Sequence, residues 1–292
     1  MRGGSQSHLM RCSDGYYYVV KFQNNPQHKR ILVNELLGTR LAGLLGLPTT
    51  HAAVIDVSED LIALTADLRI ETPRTRIPCQ PGLQFGSRYP GDPRRTALHD
   101  FLPDQQLREV SNIHDFAGML VFDKWTCNTD GRQTIFRKVW PEGIPAEDLL
   151  PEELIALHGV LPYETLMIDQ GFCFNGGEWN FPDTPLRGLY AHHRVYEGVI
   201  GMESFAPWMA GLEARITDRV LYELIREIPG EWYEHDSGAL TRLVERLHNR
   251  RARIPELLWM ARRSGRQPFP NWVQESSRPS RCDKVLLLLH DV

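Results

Sequence analysis

Two charges set on otherwise oily segments constrain this chain more than any other feature. Lys21 stands near the end of YYYVVKF, residues 16–22, an aromatic and β-branched run that follows the turn signal Ser13-Asp14-Gly15 and reads as a strand. Glu35 is the only acid in KRILVNELLGTRLAGLL, residues 29–45. There Leu32, Leu36, Leu41, Leu44 and Leu45 recur at helical spacing, and Gly46 with Pro48 stops the helix. Fourteen positions separate the two charges, a spacing that suits an ion pair between a strand and the helix after it. Taken singly, either is more simply a solvated surface residue; the order of the motifs along the chain argues otherwise.

Ahead of the strand, Gly3, Gly4, Ser5, Gln6 and Ser7 form a glycine-containing loop. After the helix, HAAVIDV and LIALTADL flank the charged turn Ser58-Glu59-Asp60 and suggest a strand pair. Residues 1–70 thus read as a small lobe of sheet plus one helix. From 71 to about 103 the chain is rich in Pro, Gly and Arg, as a connector between lobes would be. In LREVSNIHDFAGMLVFDKWT, Val110, Ile113, Phe116, Met119, Leu120 and Phe122 mark a buried helical face. TLMID reads as a strand, and 213–228 and 237–262 as amphipathic helices separated by Pro229-Gly230. The linker and helical lobe together cover 71–275. Residues 276–292 form a tail whose KVLLLLHDV is too short to span a membrane.

VFDKWTCNTDGRQTIF carries an oily helix straight into a polar loop. A Gly-rich loop, a strand ending in lysine, a helix with a central Glu, then Asn-x-Asp and later an Ile-Asp-x-Gly segment is the linear order of a bilobal ATP phosphotransferase. Each part has a physical job. Residues 3–7 could bring backbone amides against a triphosphate. Lys21 would neutralise phosphates while Glu35 holds its ammonium. Asp130 could accept or orient the proton of an attacking hydroxyl, with Asn128 holding the loop backbone. Asp169, at a strand end before Gln170-Gly171, could ligate Mg²⁺ bridging the phosphates.

Composition narrows the alternatives. A chain of 292 residues, 42% hydrophobic and 24% charged, is long enough for one large core or two packed lobes. A net charge of -4 gives no support for a general nucleic-acid or anionic-membrane role. With no apolar run of 18 residues and no signal-peptide core, the expectation is a cytoplasmic protein. Cys12, Cys79, Cys127, Cys173 and Cys282 lack zinc or disulfide spacing and read as free thiols.

The stretches GGSQSHLM, DGYYYVVKF, LVNELLGTRLAGLLGLP, LQFGSRYP, DFAGMLVFDKWTCNTDGRQTIFRK, LMIDQGFCFNGGEWNF and IPGEWY with LTRLVERLHNRR together resemble the HipA-like kinases, in particular shorter bacterial members, from residue 3 to about residue 252. The resemblance implies an α+β, bilobal, protein-kinase-like fold related to lipid kinases, with a small sheet-plus-helix N-lobe and a larger, mostly helical C-lobe. It implies Lys21 as the phosphate lysine, Glu35 as its partner, Asp130 as the catalytic aspartate and Asp169 as the metal ligand. Two departures stand out. Five positions after Asp130, where the wider superfamily usually has a second metal-ligating Asn, stands Ile135, and Gln133 is the nearest amide that could replace it. Gly3 is also two residues from Met1, so the strand that usually leads into the Gly-rich loop is either cut off or dispensed with.

Other candidates read more simply. Asp123 braces the loop at 128–130 rather than serving as a second acid. His192 and His193, being adjacent, point to different faces and make no metal pair. Cys127 and Cys173 are structural thiols, and HNRRARIPELLWMARR is a solvated helix face. The expected function is ATP- and Mg²⁺-dependent phosphotransfer to a protein Ser/Thr or a small-molecule hydroxyl, with oligomeric state open. The rivals are a catalytically dead nucleotide-binding or partner-binding module and, last, a metal-dependent hydrolase using Asp123, Asp130 and Asp169.

Overall fold

The computed structural model describes residues 4–140 and 150–273. Gly3, Cys282 and the tail 276–292 lie outside them. The class is α+β as expected. The first strands, β1 (His8–Arg11) and β2 (Tyr17–Lys21), pair antiparallel with His8 opposite Val20. The loop before β1 therefore enters at the Lys21 end of the sheet. Alternation along β2 sends Tyr18 and Val20 into a core with Phe22, Val57, Ile62 and Ile70, and turns Lys21 to the opposite face. That face meets α1 (Ile31–Leu44).

Helix α1 is buried nearly all round because it is sandwiched, packing on β3 (Ala52–Val57) and β6 (Gly82–Arg88) on one side and on residues 173–175 on the other. Placing Glu35 in this helix buries a carboxylate, which only a partner can offset.

Two expectations from the sequence change here. The segment after β3 is a helix, α2 (Glu59–Leu64), rather than a strand. The hydroxyl of Ser58 caps it by accepting from the Leu61 amide at 3.2 Å, and Glu59 and Asp60 suit the positive end of the helix dipole. The lobe boundary also does not fall at residue 70. After a short hairpin, β4 (Arg69–Glu71) with β5 (Arg76–Pro78), strand β6 enters the sheet between β2 and β3, giving the order β1-β2-β6-β3. Residues read as a connector thus include a central strand of the N-terminal sheet, since β3 needs a partner on its inner edge and its sequence neighbour has become a helix.

The second lobe is built around α4 (Asp115–Trp125), preceded by the short α3 (Asp104–Leu107). Every residue of α4 is buried, and it packs on α6 (Ala206–Arg215) and α9 (Ile254–Arg263). The Trp125 indole reaches across to donate to the carbonyl of Leu247 at 2.8 Å, in α8 (Ser237–Arg250). Helix α7 (Asp218–Arg226), capped by the Thr217 hydroxyl, packs against α8. A strand not anticipated from sequence, β7 (Gln133–Lys138), pairs antiparallel with β8 (Tyr163–Ile168) across the intervening α5 (Pro151–Val160). Its register sets Gln133 opposite Ile168, which brings the end of the 128–132 loop beside Asp169. The lobes are tied by the Met167 amide on the Pro48 carbonyl at 2.7 Å and by the Trp232 indole on the Leu83 carbonyl at 2.9 Å. Among the described residues no helix is long and apolar enough to cross a membrane, and Cys12, Cys79, Cys127 and Cys173 are free.

Candidate active site

The two charges read from the sequence meet. Lys21 Nζ forms an ion pair with Glu35 Oε1 and donates to Asp169 Oδ1 at 3.0 Å, so one ammonium at the end of β2 joins α1 to the residue after β8. Burial alone would lower the Lys21 pKa, but the two carboxylates outweigh it and hold the ammonium charged. The carboxylates then compete for it. Glu35 is 2% exposed, and burial pushes it up to about 7 against the pull of Lys21, with Asp169 adding to the push. Burial acts upward on Asp169 too, but Lys21, Glu35 as a hydrogen-bond partner and Arg132 hold it below the usual range. The physical asymmetry is exposure: the side chain of Asp169 is 32% exposed, that of Glu35 only 3%. Asp169 is the member that stays ionised and reaches solvent, where a cation or phosphate would arrive.

The loop 169–171 sits hard against α1. A Cβ on Gly171 would lie 2.9 Å from Ile31 Cγ2 and 3.2 Å from Glu35 Oε1, so glycine is what allows the approach. Asn34 stitches the same contact: its amide donates to the carbonyls of Gly171 at 2.7 Å and Gly176 at 2.8 Å, and accepts from the Trp179 indole at 2.8 Å.

The oily helix α4 delivers the polar loop. Asn128 is buried, and its Nδ2 donates to Asp123 Oδ1 at 2.9 Å while its Oδ1 accepts from the Asp130 amide at 3.1 Å. Asp130 is half-buried, with Oδ1 accepting from the Gly131 amide at 2.8 Å and Oδ2 from Gln133 Nε2 at 3.3 Å. Its carbonyl accepts from the Gly188 amide at 2.7 Å. Asp123 faces inward, with Arg132 and Asn128 on its two oxygens. It therefore braces the loop and, with its side chain fully buried, turns no oxygen toward Asp169 or solvent. Ile135 lies in β7 opposite Leu166.

The Gly-rich loop is placed less simply. Gly4 is exposed, while Ser5 and Ser7 are buried. The side chain of Gln6 does not turn to Lys21: its amide exchanges hydrogen bonds with the Glu71 backbone, donating to the carbonyl at 2.8 Å and accepting from the amide at 2.6 Å. Gln6 and Ser7 instead line a hollow of about 760 Å³ between β1 and α2, which Lys21, Glu35, Asp130 and Asp169 do not share. The chemistry follows the charges rather than this volume. Among the described residues no group of three or more His, Cys, Asp or Glu could hold a metal ion. Mg²⁺ suits such a site nonetheless, since it is commonly held by one or two protein oxygens with phosphate and water completing the octahedron. An ionised, part-exposed carboxylate beside a fixed ammonium fits a magnesium polyphosphate.

Two residues to which the sequence assigned no role matter here. Gln170 and Arg132 are both buried and connect the loops bearing Asp130 and Asp169. The only sign of Arg132 in the sequence is a charge in the polar loop that follows an apolar helix.

Residues 1–137 match the family model described as HipA-like kinase, the family that the motifs resemble. The matched span takes in Lys21, Glu35, Asn128, Asp130 and Gln133 and stops short of Asp169. No curated protein matches the chain. Among solved structures, one titled "Crystal structure of the golgi casein kinase" is similar at 12% identity and a TM-score of 0.45, over 91% of this chain and 73% of that one.

Proposed function

We propose that the protein is an ATP- and Mg²⁺-dependent phosphotransferase acting on a protein Ser/Thr or a small-molecule hydroxyl. The observation that carries this reading is the Lys21 ammonium held between Glu35 and Asp169 at the meeting of the two lobes. On this reading Lys21 binds phosphate oxygens, and Glu35 fixes its direction. Asp169, with Gln133 as the candidate second ligand, would hold Mg²⁺, which when bound offsets phosphate charge. Asp130 accepts or orients the proton of the acceptor hydroxyl, and Asn128 holds the peptide that carries it. Amides of residues 3–7 would cover the phosphates through their backbone, because the Gln6 side chain is engaged elsewhere. Thermal melting with and without MgATP tests binding: at a ligand concentration one hundred times Kd, stabilisation of about 2.7 kcal/mol is expected. No shift at saturating nucleotide removes the reading.

Lys21→Met should weaken ATP binding by roughly 10- to 100-fold, the worth of a charge-assisted hydrogen bond or two, at about 1.5 to 3 kcal/mol. The fold should survive, because Met keeps the apolar stem and Glu35, already pushed up to about 7, can take a proton instead of standing as an unpaired charge. Isothermal titration on the folded variant reads this, and unchanged affinity would remove Lys21 from the phosphate site.

A second reading, a nucleotide-binding module without transfer, is favoured by one observation. Ile135 is committed to the β7–β8 ladder, and the Gln133 amide donates to Asp130, so the usual second metal-ligating amide has no direct equivalent. Binding of MgATP without transfer to any acceptor would select it.

A further inference from the structure

Asp169 sits in a backbone conformation that side chains avoid. Its φ of 58° lies in the left-handed region, where Cβ crowds the following carbonyl. Such a residue persists only where its surroundings over-determine it, and both peptide groups flanking Asp169 are pinned. On one side the Ile168 carbonyl accepts from Arg132 Nη1 at 3.0 Å. On the other the Gln170 amide donates to Glu35 Oε2 at 2.9 Å. Arg132 Nη1 also donates to Gln170 Oε1 at 3.0 Å, so one guanidinium grips both neighbours of Asp169. Arg132 is itself locked, with Nε donating to Asp123 Oδ2 at 2.9 Å and Nη2 paired with Asp123 Oδ1. Both side chains are 0% exposed. From Asp123 the same chain of hydrogen bonds continues through Asn128 to the Asp130 amide.

We infer that Arg132 is a positioning residue: it holds Asp169 in its left-handed conformation and sets where Asp169 stands relative to Asp130, through one guanidinium shared by both loops. The planar fork is what makes this work. Its donors point in fixed directions and satisfy a carboxylate, a carbonyl and an amide oxygen at once, whereas an ammonium is a compact point charge on a flexible stem. A lysine at 132 would keep a charge opposite Asp123 and lose the span to Ile168 and Gln170. A residue that merely filled the core would leave Asp169 where it is.

The test is Arg132→Lys in the full chain, read in two ways. Without nucleotide, the backbone ¹³C shifts of Asp169 report the sign of φ. They are expected to leave left-handed values while those of Lys21 and Glu35 stay put. A folded variant with unchanged Asp169 shifts overturns the inference. With nucleotide, and resting on the phosphotransferase reading, the gain in ATP affinity on adding Mg²⁺ should shrink by roughly 10- to 100-fold, as for residues that orient metal ligands, while affinity in EDTA is unchanged. Should the wild type bind no nucleotide, that reading fails and the shift measurement still decides the role of Arg132. If Arg132→Lys does not fold, Asp123→Leu/Arg132→Met removes both charges together and leaves none unpaired. Wild-type Asp169 shifts in that variant would equally overturn the assignment.

Discussion

Asp130→Asn is expected to slow phosphoryl transfer by about 10²- to 10⁴-fold, the usual worth of a positioned acid or base, with ATP affinity nearly unchanged. The substitution is gentle on the fold. Asp130 is half-buried, its backbone is held from outside by Asn128 and Gly188, and an asparagine oxygen can still accept from the Gly131 amide. What changes is the charge on the one carboxylate of this loop that is not already committed to an ion pair. Asp169 and Lys21 are untouched, so the nucleotide keeps its contacts. Single-turnover transfer from radiolabelled ATP, paired with a binding titration, separates the two quantities. Equal rates for variant and wild type would dismiss Asp130 as the catalytic aspartate. A wild type that binds and does not transfer would point to the binding module, with Ile135 as the suspect residue.

Asp123→Asn, seven residues away, should instead unfold the protein more readily, by about 3 to 5 kcal/mol, the cost of breaking a fully buried ion pair from one side. The guanidinium of Arg132 would face a neutral amide with no water to replace the lost charge, since both side chains are 0% exposed. An asparagine also brings an NH₂ where Asp123 now accepts on both oxygens, from Arg132 and from Asn128. Urea unfolding at neutral pH measures the loss. A change below about 1 kcal/mol, the scale of an exposed pair, would mean that this ion pair is not the brace of the loop. Activity should fall with it, because the peptide before Asp130 hangs on Asn128 and Asn128 on Asp123. The contrast between these two aspartates, one costing rate and the other stability, separates reacting group from support.

The pairing of Lys21 with Glu35 was legible in the chain, and the reason is local. Lys21 is the one charge on its strand and Glu35 the one acid on its mostly apolar helix, period 2 places Lys21 on the face opposite Val20, and the order of the motifs sets the two charges together. The same holds for α4 running into its polar loop. The Ser58 cap of α2 is also local, but a short apolar run such as the one after it fits strand and helix alike, and its neighbours in space decide between them. Other features depend on partners far along the chain. Strand β6 lay hidden in a Pro- and Gly-rich run because what makes it a strand is the open edge between β2 and β3, not its own composition. Arg132 meets Asp123 nine positions away, but Ile168 and Gln170 lie 36 and 38 positions away, and no spacing rule brings them together. The left-handed turn at Asp169 is of the same kind. Residue type permits it without requiring it, and it is fixed where Lys21 of β2, Glu35 of α1 and Arg132 of the loop before β7 close around it. Local periodicity settled which residues carry the charge, while the direction in which each charge points was decided by contacts that only the packed lobes supply.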